Sequence, residues 1–235
     1  MTRAIVLAAG RGKRMRPLTD HTPKPLLPVH GKPLIEWHLR ALARAGVREV
    51  VINTAWLEDR FEAVLGDGRR FGLQLHYSRE GRDHGGALET AGGIATALPW
   101  LVQQPDEVFW VVSGDIHAPD FEFDAGCLRV FDDPRRLAHL WLVPNPAYHS
   151  AGDFGLDADG FGLPDRPGPD GRRWTYANLA LLRGELLQGI AAGSHAPLGP
   201  LLFEGMRERR ISAEVYRGRW ENVGTPAQLE ALNRG

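Results

Sequence analysis

Two glycines one residue apart, Gly10 and Gly12, follow an apolar run and open a stretch carrying Arg11, Lys13, Arg14, Arg16 and Lys24. Glycines directly after a strand let the backbone pass close to a ligand, and the amides and cations that follow can surround phosphate. The spacing excludes a Walker loop, because only Arg11 separates the glycines and no Ser or Thr follows Lys13. A dinucleotide fingerprint fails as well, since its third glycine would fall at Met15. A glycine pair alone is also an ordinary strand exit; Arg14 and Lys24, flanking two stiffening prolines, point it toward anions. A second candidate is Asp115, which follows the apolar run Glu-Val-Phe-Trp-Val-Val and Ser113-Gly114. A carboxylate just past a buried strand of an open α/β sheet lies where such sheets bind ligands, and it is a hard oxygen donor suited to Mg²⁺ bridging phosphates. A turn-forming Asp after Gly is the plain alternative.

For these groups to meet, the chain must deliver them to one sheet edge. Short apolar runs alternating with helical stretches predict parallel strands joined by crossover helices. Strands are expected at residues 3–8, 49–53, 73–77 and 107–112, and helices at 33–45, 57–65 and 89–98. Beyond Asp115 the pattern holds more strand and turn, with strands at 138–143, 173–182 and 211–216 and a hairpin around Asp159-Gly160. Residues 162–171 read as a loop by composition, and 81–87, with Gly85 and Gly86, as a mobile flap. Thr225-Pro226-Ala227-Gln228 supplies the N-cap, first-turn proline and capping-box residue of a last helix. The expected fold is α/β, a Rossmann-like mostly parallel sheet flanked by helices with a small substrate lobe. No repeat or linker interrupts the 235 residues, so 1–235 reads as one domain.

A formal net charge of −1 argues against a general nucleic-acid binder. Residues 1–40 nevertheless hold eight basic side chains against two acidic ones, and all three lysines fall between positions 13 and 32. The charge pattern is a local cationic site in a neutral protein. No apolar run approaches the roughly 20 residues of a membrane span. A single cysteine, Cys127, can form no internal disulfide, which suits a reducing cytoplasm, and it is expected to pack.

The stretch LAAGRGKRMRPLTDHTPKPLLPV at residues 7–29 resembles the signature of the sugar nucleotidyltransferases, LxAGxGxRxxPLTxxxPKxLxPV. GKPLIEWHLRALARAGVREVVIN, Ser-Gly-Asp at 113–115, Gly-Asp-Phe at 152–154 and RGRWENVGTPAQL at 217–229 follow in the same order. The resemblance implies that a sugar 1-phosphate oxygen attacks the α-phosphorus of a nucleoside triphosphate and releases pyrophosphate. Short length and the Gly-Asp-Phe element imply UTP with an N-acetylated sugar 1-phosphate, N-acetylmuramate 1-phosphate first, in cell-wall sugar recycling. By the motif Arg14 grips the leaving pyrophosphate, Lys24 neutralises the α-phosphate and sugar phosphate, and Asp115 holds Mg²⁺.

The same resemblance assigns nucleotide contacts to Leu7, Ala8, Ala9, Gly10, Arg11 and Gly12, with Glu80 accepting from the base and Leu88 and Thr90 donating. Residues 1–115 become the nucleotide-binding half and 116–235 the sugar-binding, sheet-completing half. Sugar contacts fall to Asp153, Gly155 and Asn178, the last standing where glycine is usual. Asn222 occupies the position of a second metal-binding Asp and offers a carbonyl oxygen without charge. Glu221 would face the other side of a strand. Trp110, Trp141 and Trp174 read as packing residues. A monomer or small homo-oligomer is expected. Two alternatives stand: the same chemistry on a hexose 1-phosphate or a phosphocholine-type acceptor with another nucleotide, or a nucleotide-binding regulatory subunit whose activity went with the carboxylate at 222.

Overall fold

The computed structural model describes residues 2–234. Seven strands form its main sheet: β1 (Ala4–Leu7), β2 (Glu49–Thr54), β3 (Gln74–Arg79), β4 (Val108–Ser113), β5 (Ala138–Val143), β6 (Thr175–Arg183) and β7 (Ile211–Val215). They lie in the order β7-β5-β6-β4-β1-β2-β3. Both parts of the sequence therefore build one sheet. Strand β6 runs antiparallel to its neighbours β4 and β5, and every other pairing is parallel.

The near-continuous apolar character of β1, β2 and β4 follows from burial on both faces. Ala4, Val6, Val50, Ile52, Trp110 and Val112 point into one core, and Ile5, Val51, Phe109 and Val111 into the other. Helix α1 (Leu34–Arg44) and α2 (Asp59–Leu65) cover the first face through Ile35, Leu39, Leu42, Phe61 and Leu65. A short α3 (Glu80–His84) leads into α4 (Glu89–Leu101), which covers the second face with α5 (Gly199–Arg207) through Ile94, Ala97, Leu101, Leu202 and Met206. Trp110, Trp141 and Trp174 are buried. Cys127 is half-buried against the first core.

The final helix α6 (Pro226–Arg234) starts from the expected box, with the Gly224 amide donating to Gln228 Oε1 at 2.9 Å and the Gln228 amide to Thr225 Oγ1 at 3.3 Å. Its Leu229 packs with Met15, Leu27, Val29 and Leu34, and its Asn233 bonds His30 N and Pro28 O. The C-terminus thus buttresses the glycine-rich loop.

Three expectations needed correction. Helix α5 has no counterpart in the sequence reading, because its Gly-Pro start and mid-helix Gly205 hide its period. The loop at 162–171 begins with a paired segment, Gly162–Leu163 against Gly155–Leu156. The expected flap is a tethered helix: the Gly81 and Arg82 amides donate to the two carboxylate oxygens of Glu58 at 2.8 and 3.1 Å, and Gly85 caps it with φ 81°.

Candidate active site

The chain leaving β1 folds into three single turns, Lys13–Met15, Leu18–Asp20 and Lys24–Leu26. Gly12 permits this by adopting φ 64°, and a Cβ there would lie 3.0 Å from Thr19 Cγ2 and 3.4 Å from Lys24 Cβ. Thr19 Oγ1 donates to Gly12 O at 2.9 Å, which closes the loop on itself. The closure aims Lys24, only 7% exposed, across the sheet edge, where its Nζ donates to Asp115 Oδ2 at 2.7 Å. Ser113 Oγ donates to the other oxygen, Oδ1, at 2.7 Å. Strands β1 and β4 are direct neighbours, and the Gly114 amide donates to Leu7 O at 2.8 Å. Lys24 and Asp115, 91 positions apart in sequence, meet for that reason.

Arg14, Lys24 and Asp115 all line one cavity of about 1010 Å³ at this edge. Arg14 lies beside Gly224 and has no hydrogen-bond or ion-pair partner among the described residues. Leu7, Ala8, Ala9, Gly10, Gly12 and Thr90 line the same cavity. So does Asn53, which the sequence reading missed: its Oδ1 accepts from the Ala8 amide at 2.8 Å and its Nδ2 donates to Glu80 Oε1 at 2.6 Å. Its only signal was a polar residue closing an apolar strand.

Four predicted contacts lie elsewhere. Arg11 is drawn away, with its guanidinium 3.5 Å from the Trp56 ring centre and bonds to Thr19 O and Asp20. Glu80 is 1% exposed, outside the lining, and both its oxygens are taken, by Asn53 and by the Leu88 amide at 2.8 Å. The Leu88 N–H is spent on that bond, so it cannot serve a base either. Burial raises the Glu80 carboxyl above its ordinary range, against those two hydrogen bonds that pull it down. Gly93 of α4 presses on this pair so closely that a Cβ would collide with Glu80 Oε1. Glu80 holds Asn53 in place, one layer behind the cavity. Gly155 is buried against the backbone of Arg166 and Pro167 and outside the lining; it lacks a Cβ for packing reasons.

Asp153 and Asn178 do face the cavity. Asn178 has φ 58°, within a register shift between Tyr176 and Ala180 where β6 bulges against β5. That left-handed position accounts for an Asn where glycine also serves. Asp153 turns its carboxylate inward, accepting from Tyr176 N at 2.8 Å and contacting His149 Nε2 at 3.0 Å. Tyr148, His149, Tyr176, Phe203 and Trp220 complete this end, and none was foreseen in that role. Tyr148 and His149 sit in a single turn, Tyr176 in β6, Phe203 in α5 and Trp220 in an irregular segment, and the local pattern of none of them hints at a shared wall.

A cation fits between the two ends. Segments Ile116–His117 and Glu221–Asn222 pair antiparallel, and the Val223 amide donates to Asp115 O at 3.0 Å. This places Asn222 beside Asp115 on the lining, while Glu221 is exposed outside it. Asn222 Oδ1 is buried without a partner, an acceptor awaiting a donor or a cation. The described residues contain no cluster of three or more His, Cys, Asp or Glu side chains for a metal, so phosphates and water would supply the remaining ligands. Behind the ribbon His38 is buried, and desolvation pushes its pKa down to about 4. The neutral ring donates from Nε2 to Ile116 O at 2.8 Å.

The Nucleotidyl transferase profile matches residues 3–141, more than half of the chain. The chain belongs to the nucleotidyl transferase family. This nucleotidyl transferase is 48% identical over 229 residues to the N-acetylmuramate alpha-1-phosphate uridylyltransferase of Neisseria meningitidis, covering 97% of the chain and 95% of that protein. It is 32% identical to the protein of the same name from Caulobacter vibrioides, over 98% and 96% of the two chains. The crystal structure of HddC from Yersinia pseudotuberculosis, complexed with GMP-PN, shares the fold with a TM-score of 0.75 at 16% identity, over 100% of this nucleotidyl transferase and 99% of HddC.

Proposed function

We propose that this nucleotidyl transferase moves a uridylyl group from UTP to N-acetylmuramate 1-phosphate, giving the UDP-sugar and pyrophosphate, with Mg²⁺ as the cation and in the cytoplasm. The observation that carries the reading is the meeting of Arg14, Lys24, Asp115 and the orphaned Asn222 oxygen in one cavity with a polar and aromatic far end. Near-full-length similarity to the Neisseria meningitidis enzyme supports the choice of base and sugar.

In the reaction a sugar phosphate oxygen forms a bond to the α-phosphorus as the bond from that phosphorus to the α,β-bridging oxygen breaks, and the electron pair leaves with pyrophosphate. Both reactants are anions, so the protein's work is neutralisation and alignment. Lys24, fixed by Asp115 and by burial, offers a preorganised ammonium at the meeting point of the phosphates. Arg14 is free to grip the leaving pyrophosphate with a two-pronged contact. Asp115 and Asn222 would hold Mg²⁺, which supplies charge on the phosphate oxygens. The backbone from Leu7 to Gly10, with Asn53 and Thr90, receives the base, and Glu80 acts by holding Asn53. Asp153 and Asn178 belong to the sugar end.

The test is pyrophosphate release across four nucleoside triphosphates and a panel of sugar 1-phosphates with Mg²⁺. UTP with N-acetylmuramate 1-phosphate should give the highest kcat/KM. A higher value for another nucleotide, or for phosphocholine with CTP, refutes the assignment.

A further inference from the structure

The sugar end of the cavity has an uneven chemistry. Its lining from the second half of the chain includes Phe154, Leu198, Leu202 and Phe203, with Phe154 and Phe203 in edge-to-face contact at 5.8 Å. These are surfaces for methyl groups. Among the described lining residues the cations Lys13, Arg14 and Lys24 all come from the first loop, at the phosphate end. The second half contributes a single side chain able to carry positive charge, His149.

His149 is held in a defined way. Its Nε2 lies 3.0 Å from Asp153 Oδ1, and Asp153 is itself fixed by the Tyr176 amide on Oδ2 and by Arg173, which donates to the Asp153 carbonyl. The carboxylate assigns the Nε2 hydrogen, so Nδ1 is the atom left for a ligand. Nδ1 has no hydrogen-bond partner among the described residues, and the side chain keeps 40% of its exposure. A carboxylate meeting the ring opposite Asp153 is served by a ring that donates from both nitrogens, the donor pattern of an imidazolium.

Resting on the uridylyl transfer reading, we infer that His149, clamped by Asp153, binds the carboxylate of an acidic N-acetylated sugar 1-phosphate and so separates it from neutral N-acetyl sugar phosphates. The neighbouring apolar wall takes the methyl groups of such a substrate. His149 is the specificity-determining residue, and Asp153 its positioning residue.

N-acetylmuramate 1-phosphate and N-acetylglucosamine 1-phosphate differ by the lactyl ether that bears the carboxylate, so together they isolate the contact. Calorimetry on the full chain should show tighter binding of the acidic sugar phosphate. His149→Gln, which keeps a donor toward Asp153 but no charge, should weaken the acidic ligand about tenfold or more and leave the neutral one within about twofold. His149→Arg should retain the preference. Steady-state kinetics with UTP should place the same loss in KM with kcat preserved. Equal loss on both ligands, no loss on either, or equal wild-type affinity for the two overturns the inference. Absence of turnover with UTP on either sugar would refute uridylyl transfer instead, and the binding comparison would still decide the role of His149.

Discussion

Lys24 is where burial and charge meet most sharply. A lysine that is 93% hidden needs a partner, and Asp115 is within 2.7 Å. Replacing it with methionine keeps the apolar stem and removes one preorganised charge. Lys24→Met should lower kcat/KM about a hundred- to a thousandfold, about 3 to 4 kcal/mol, with an unchanged circular dichroism spectrum; near-wild-type turnover would remove Lys24 from the chemistry. His38 gives a prediction about acid. Its pKa falls from 6.5 to about 4 on folding, so the unfolded chain binds the extra proton between those values and stability rises with pH there. Acidifying from pH 6.5 toward 4 should cost about 3 kcal/mol from this ring alone. His38→Gln, which retains a donor to Ile116 O, should flatten that part of the stability curve, as read by urea denaturation at several pH values.

Elements decide how well the residues are aimed. The loop after β1 is a chain of single turns with little regular hydrogen bonding, so it depends on the closure between Gly12 and Thr19 and on α6 behind it. Gly12→Ala adds a Cβ in a left-handed position and pushes on Thr19 and Lys24. The variant should lose about 1 to 2 kcal/mol of stability and lose activity by more than that loss accounts for. An active Gly12→Ala enzyme would show that the loop tolerates a shifted Lys24. The Glu80–Asn53–Ala8 chain does similar work from the opposite side. Glu80 was a candidate for touching the base because the family resemblance places the base along its segment and a carboxylate can accept from an N–H. Its place beneath Gly93 and its commitment to the Leu88 amide arise from α4 crossing β2, which local pattern does not record.

At the scale of the whole molecule, β6 is the strand that makes the two halves one body. It joins β4 to β5, and β7 continues the sheet beyond. Without residues 116–235, β4 would present an unpaired edge and Phe109, Val111, Ile94 and Leu101 would lose part of their cover. We therefore propose a single folding unit. A fragment of residues 1–115 should aggregate or remain unfolded by size-exclusion chromatography and circular dichroism; a monomer with a cooperative melt would refute this.

The sequence alone determined the order of strands and helices in the first half, because buried parallel strands leave apolar runs and crossover helices leave a helical period. It also marked Arg14, Lys24 and Asp115, whose charge types and glycine spacing are strictly local features. Tertiary structure alone decided which carboxylates face the cavity. Glu80 and Asp153 are both acidic residues next to glycine-containing turns, yet packing turned the first onto Asn53 and the second onto His149. A hydrogen-bonding side chain goes to the partner that the fold brings near, and that partner lies 27 residues away in one case and four in the other.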